Sequence, residues 1–215
     1  KNFENFKKKF KNEFGENPNH LSLLSYDLIG LIYYLSLKNE FSEIITKKGL
    51  EHERTYFQHL QCSVPVFRQI EENKNYAIRL EDTLSAIRKE MELVYQGYLE
   101  YGDWAGVADF LIKDSSTGDV RYSVVDTKLS LTPKPSHISQ VVIYAILMEG
   151  LGLEIPRYGQ IVSPSRDEGQ KFSIFDFKIS DFIDVVQTQM NALQSFVLSP
   201  QETRPIPCQF CDLCK

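Results

Sequence analysis

Three β-rich runs follow one another with almost no chain between them: Leu93–Tyr101, Trp104–Ile112 and Arg121–Leu129. Gly102-Asp103 separates the first two, and Asp114-Ser-Ser-Thr-Gly-Asp119 reads as the hairpin turn before the third. Connections this short join antiparallel neighbours, because a parallel crossover needs about a dozen residues or more. The block therefore predicts a three-stranded meander. A Pro-rich loop (Pro133, Pro135) leads from it to a helix over Ser136–Leu151. Strands over Tyr158–Val162 and Phe172–Phe177 follow, then a helix over Ser180–Leu198 that Ser180 is placed to cap. A meander, a crossover helix and further strands imply an α/β fold with a mixed sheet.

Upstream the pattern is helical. Phe3, Phe6, Phe10 and Phe14 recur at helical spacing among Lys7, Lys8, Lys9 and Lys11, giving a docking helix with a solvated basic face, broken at Asn17-Pro-Asn. Leu21–Leu37 predicts a second, strongly apolar helix. Lys47–Leu60 predicts a third, with Leu50, Tyr56, Phe57 and Leu60 on or near its inner side. Val64–Ile70 reads as a short strand, Glu71-Glu-Asn-Lys-Asn as a turn, and Leu80–Met91 as a helix. With 215 residues, 42% of them hydrophobic, the chain can bury one medium-sized core. Its net charge of -5 argues against a generic polyanion binder, so contact with nucleic acid has to come from local basic patches. No apolar run reaches the ~18 residues of a membrane span and no signal peptide is visible, so a cytoplasmic protein with no membrane partner is expected. The start at Lys1 suggests a segment of a longer protein.

Polar residues in this framework carry the chemistry. Asp109 and Asp126 lie on adjacent runs of the meander, near strand ends by this reading, where both can point into one cleft. Hard cations such as Mg²⁺ take oxygen ligands, commonly one or two carboxylates beside water and substrate phosphate. Lys128 is two residues beyond Asp126 and so projects from the same face of a strand. Its ammonium can orient an attacking water or stabilise developing negative charge, and it can equally be a structural ion-pair partner of Asp126. Gln140 and Tyr144, four apart on the following helix, share a face. His52 stands beside Glu53 on an upstream helix, and an imidazole ligand favours Mn²⁺ over Mg²⁺. Lys113, Lys134 and Lys171, on loops or at strand ends, are candidates for phosphate contacts.

In order, Gly49-x-x-His52-Glu53, Gly106-x-x-Asp109, Asp126-x-Lys128 and Gln140-x-x-x-Tyr144 resemble the motifs of the PD-(D/E)xK nuclease superfamily, in its RecB-like branch. Tyr95-Gln-Gly, Trp104-Ala-Gly-Val-Ala-Asp-Phe-Leu111 and Tyr122-Ser-Val-Val-Asp-Thr-Lys-Leu129 are similar to a RecB-like group often found beside helicase or ribonuclease-H-like domains. The match spans roughly residues 47–151. The resemblance implies a restriction-endonuclease-like core over 47–200, an N-terminal helical extension over 1–46 and a Cys-rich tail over 201–215. It further implies a Mg²⁺- or Mn²⁺-dependent deoxyribonuclease, with DNA as substrate and a helicase or ribonuclease-H-like domain as partner in cis or trans. Carried over by position, His52, Asp109, Asp126 and the backbone carbonyl of Thr127 are implied metal ligands. Lys128 is the implied catalytic lysine, with Gln140 and Tyr144 in support, and Glu53 a further acid for a second metal or for structure. Asp126 stands where many relatives have Glu. The rival expectation is a catalytically inactive nuclease-fold module that binds nucleic acid or a helicase.

Cys208-x-x-Cys211-x-x-Cys214 has the spacing of three ligands in bacterial ferredoxin runs, and Cys-x-x-Cys also suits zinc. Several RecB-like nucleases carry a 4Fe-4S cluster with one cysteine ahead of the motifs and three behind. This chain has no cysteine before Gly49, and its last spacing is shorter than theirs. Cys208, Cys211 and Cys214 are therefore candidates for an iron–sulfur cluster or Zn²⁺ in a longer protein. Cys62 reads as a small buried hydrophobe.

Overall fold

The computed structural model describes residues 8, 11, 12, 43–114 and 120–198. Contacts divide the chain into two units, Lys1–Glu51 and His52–Lys215. In the first, residues 8, 11 and 12 are helical and exposed. The helices expected around Phe3–Phe14 and over Leu21–Leu37 otherwise lie outside the described residues, as do the turn residues 115–119 and the cysteines at 208, 211 and 214.

The first continuous element is a helix over residues 43–61, α1. Strand β1 (Phe67–Gln69), helix α2 (Tyr76–Arg88) and strands β2 (Leu93–Tyr101), β3 (Trp104–Asp114) and β4 (Arg121–Thr127) follow. Helix α3 (Pro135–Gly150), strands β5 (Tyr158–Pro164) and β6 (Phe172–Lys178), a 3₁₀ turn (Ile179–Asp181) and helix α4 (Ile183–Leu198) complete the order. The sheet is mixed and runs β1-β2-β3-β4-β5-β6. The expected meander is present: β2–β3 and β3–β4 are antiparallel. Parallel pairs β1–β2 and β4–β5 are joined through α2 and α3, and β5–β6 is antiparallel.

Both faces of the sheet are covered. Val124 and Ile161 belong to a cluster with Val141, Ala145 and Met148 of α3 and Val186 and Met190 of α4. Their strand neighbours Val125 and Val162 turn the other way, into a cluster with Tyr56 and Leu60 of α1. This explains the unbroken apolar runs in β4 and β5: each residue meets a core, whichever way it points. All four of these valines and isoleucines are fully buried, at ~1.5–3 kcal/mol apiece. Helix α3 starts with Pro135, pre-set for a first turn, and nearly everything from Val141 to Met148 is buried.

Several sequence expectations need correction. Helix α2 begins at Tyr76, four residues before the expected Leu80, because Asn75 caps it: its Oδ1 accepts the Ile78 N–H at 2.9 Å. Helix α4 starts at Ile183, and Ser180 does not cap it. Ser180 sits in the 3₁₀ turn, its hydroxyl 3.3 Å from Asp181 Oδ1. The first strand is confined to Phe67–Gln69. Leu50 is 47% exposed rather than inward. Cys62 is exposed too: it follows the end of α1, and its thiol lies 3.4 Å from the Gln58 carbonyl.

Candidate active site

The ladder between β3 and β4 ends at the Phe110–Val125 pair. The next residues on the two strands are Asp109 and Asp126. Beyond this point β4 keeps only β5, its partner on the other edge from Val124 on (Asp126 with Ile161, Thr127 with Val162), while β3 continues alongside β2 to Trp104. Asp109 is thus not at a strand end, as the sequence suggests. It is mid-strand, at a fork where β4 leaves β3. The fork opens the space that two carboxylates need.

Asp126 is fully buried, and Lys128 Nζ lies 2.5 Å from its Oδ2. Its Oδ1 is buried with no hydrogen-bond partner among the described residues. Asp109 is held across the fork: its Oδ2 accepts the Thr127 N–H at 2.8 Å and the Thr127 hydroxyl at 2.7 Å. Lys128, just past β4, donates its backbone N–H to the Val162 carbonyl at 2.9 Å. The same carbonyl lies 3.2 Å from His52 Nε2 on α1. A carbonyl only accepts, so that ring nitrogen donates, and Nδ1 is the ring nitrogen left for another partner.

The acids act on one another. Burial raises the Asp126 carboxyl to about 7, Asp109 and Glu53 push it the same way, and Lys128 opposes them. Burial also raises Asp109, against the two Thr127 hydrogen bonds, Lys128 and His52. Glu53, itself buried, is raised by burial and by Asp109. Three acids with one ammonium among them are under-compensated, so each holds a proton more readily than a free carboxylate does.

Helix α3 closes one side. Gln140 Nε2 donates to the Tyr144 hydroxyl at 2.8 Å. Burial, then the charges of Asp126 and Asp109, raise that phenol to about 12 against the Gln140 bond. Tyr144 reaches this position because β3 has Gly106 beneath it. A Cβ there would meet Tyr144 Cε1 at 2.6 Å. The glycine of Gly106-x-x-Asp109 thus admits an aromatic ring to the sheet surface.

Tyr95-Gln-Gly carries part of the sequence resemblance, but sequence alone assigned Tyr95 and Gln96 no role at the site. Gln96 has a φ of 59° and donates its side-chain amide to Glu53 Oε1. Tyr95 also bonds Glu53, which with burial raises the phenol. Gly97 inside β2 was the available signal, since a glycine in a strand interior often marks a local irregularity. The Thr127 side chain, bonded to Asp109, had no signal in sequence beyond its place between Asp126 and Lys128.

The lysines divide. Lys113 lies four residues along β3 from Asp109 and pairs with Glu90 at 2.8 Å. Lys134 is exposed at the N-cap of α3, and Lys171 is exposed just before β6. Among the described residues no three His, Cys, Asp or Glu side chains converge to hold a metal ion as they stand. The chemistry of the donor set nonetheless suits a hard cation: a buried carboxylate oxygen without a partner among the described residues, a second carboxylate beside it, and an imidazole whose Nε2 is turned to a carbonyl.

The fold and site define an α/β protein with a six-stranded mixed sheet flanked by helices. No family model matches the chain, and no curated protein matches it. None of the described helices is long and apolar enough to cross a membrane.

Proposed function

We propose that this chain is a divalent-metal-dependent nuclease with a restriction-endonuclease-like core, cutting phosphodiester bonds in DNA. The observation that carries this reading is the β3–β4 fork. There Asp109 and Asp126 stand side by side, Lys128 contacts Asp126, and one buried Asp126 oxygen has no partner among the described residues. The ordered motifs and the helix-over-meander arrangement support it further.

In this reading Asp109 and Asp126 would hold Mg²⁺ or Mn²⁺, with His52 Nδ1 and the Thr127 carbonyl as further donors. Such a cation supplies an activated water and neutralises charge on the phosphoryl oxygens. Thr127 keeps Asp109 in one rotamer through two hydrogen bonds. Val162 orients both the His52 ring and the Lys128 backbone. Lys128, now on Asp126, exchanges that carboxylate for the attacking water or a phosphate oxygen. Tyr144, locked by Gln140, borders the substrate. Glu53, held by Gln96, adds negative potential that favours cation entry.

A second reading, a nuclease-fold module that binds DNA without cutting it, is favoured by one feature. Lys128 sits on an Asp126 oxygen that a cation would need. End-labelled single- and double-stranded DNA, incubated with the protein and Mg²⁺, Mn²⁺ or chelator, separates the two. The nuclease reading expects metal-dependent products. Retention of DNA without products under every metal condition supports the binding module and overturns the nuclease.

A further inference from the structure

Ser163 follows Val162 on β5 and is 3% exposed, and its hydroxyl has no hydrogen-bond partner among the described residues. Buried polar groups are nearly always paired, so an orphan hydroxyl beside a reactive centre points to something outside the chain. Its direction follows from the strand. Ile161 packs in the α3-side cluster and Val162 in the α1-side cluster, so Ser163 turns toward α3. The parallel register sets Asp126 beside Ile161 and Thr127 beside Val162, and carried one step further it brings Lys128 beside Ser163.

The other wall is the start of α3. This helix returns the chain from β4 to the parallel β5, so its N-terminus lies over the carboxyl ends of both strands, where α/β sheets take ligands. His137, Gln140 and Tyr144 fall at i, i+3 and i+7, one stripe of the helix. Two of them already border the fork. His137 Nδ1 accepts the Lys134 N–H at 3.2 Å, which leaves the neutral ring's proton on Nε2 as a donor. His137 is half-buried and feels the charges of both Lys128 and Lys134, which with burial hold its pKa below the ordinary value.

We propose that Ser163 and His137 are positioning residues that flank Lys128 and hold a phosphate oxygen of DNA at the β3–β4 fork. The proposal rests on the nuclease reading and assigns the side on which the phosphate lies. A hydroxyl, an imidazole N–H and an ammonium give three donors around one anionic oxygen.

The test compares the full chain with Ser163→Ala, His137→Ala and His137→Gln, in Mn²⁺ on end-labelled DNA, with melting curves alongside. Ser163→Ala should melt at or above the wild-type temperature, since it removes an unpaired buried hydroxyl, while KM for DNA rises about tenfold. His137→Ala should raise KM similarly, and His137→Gln, which keeps a side-chain N–H, should restore much of it. In all three, kcat should stay within about threefold of wild type. Wild-type KM in both alanine variants, with metal-dependent cleavage intact, would overturn the proposal and leave the nuclease reading standing. Wild type that neither cuts nor binds DNA would overturn both.

Discussion

At Asp126, burial and two neighbouring acids act against a single lysine, and the balance holds the carboxyl at about 7. An unfolded aspartate titrates near about 3.9. Between those values the folded chain binds the proton that the unfolded chain has released. The stability that this group contributes is therefore complete below about pH 4 and is lost as pH rises through 7. In chelator, the melting temperature of wild type should fall over that window, and Asp126→Asn should flatten the fall. At pH 8 the variant should melt higher by several degrees, roughly 2–4 °C per kcal/mol for a chain of this size. Mn²⁺ at pH 8 should raise the wild type and leave Asp126→Asn nearly unmoved. Matching melting profiles for the two proteins across pH and metal would refute this electrostatic account. Asp126 and Lys128 were legible in sequence because a strand's alternation puts them on one face. The fork was not, since it depends on where β4 parts from β3 while keeping β5 on its other edge.

Among the elements, α3 and β3 form the joint on which the site depends. Gly106 lets Tyr144 lie against the sheet, and Gly106→Ala must push the ring or the helix away. We predict a loss of ~1–3 kcal/mol in urea melts together with a fall in cleavage, because the displaced Tyr144 is bonded to Gln140. Unchanged stability and activity would show that the helix can shift at no cost. Asn75→Ala is the matching control. It removes the Asn75–Ile78 cap at the start of α2, which touches none of the fork residues, and should cost ~1 kcal/mol of stability while sparing cleavage below the melting range. Element identities followed from periodicity, but element starts did not. Asn75 was read as part of a turn, and Ser180 as a cap. Which polar residue caps a helix depends on where its side chain finds an unpaired N–H.

For the whole molecule, the meander and the mixed character of the sheet were the most legible features. Short turns at Gly102-Asp103 and after Asp114 leave the meander few alternatives, and the proline loop with its long apolar helix supplies the parallel crossover to β5. Coverage of both faces was only half legible. Val124-Val125 and Ile161-Val162 announce buried strands, but the choice of α1 as cover for one face rests on Tyr56 and Leu60 meeting Phe110 and Val162. Gln96, at a positive φ with its amide on Glu53, lies at the contact between α1 and the sheet, and the adjacent Gly97 hints at the irregularity but not at its partner. The fold thus assembles the acids from three elements: Glu53 from α1, Asp109 from β3 and Asp126 from β4.

The most direct measurement is single-turnover cleavage of end-labelled DNA in Mn²⁺ by wild type, Asp126→Ala and Lys128→Ala, each shown to be folded by its melting curve. The account predicts cutting by wild type and a loss of at least about a thousandfold in each folded variant. Wild-type rates in either variant, or a folded wild type that cuts nothing, would contradict it.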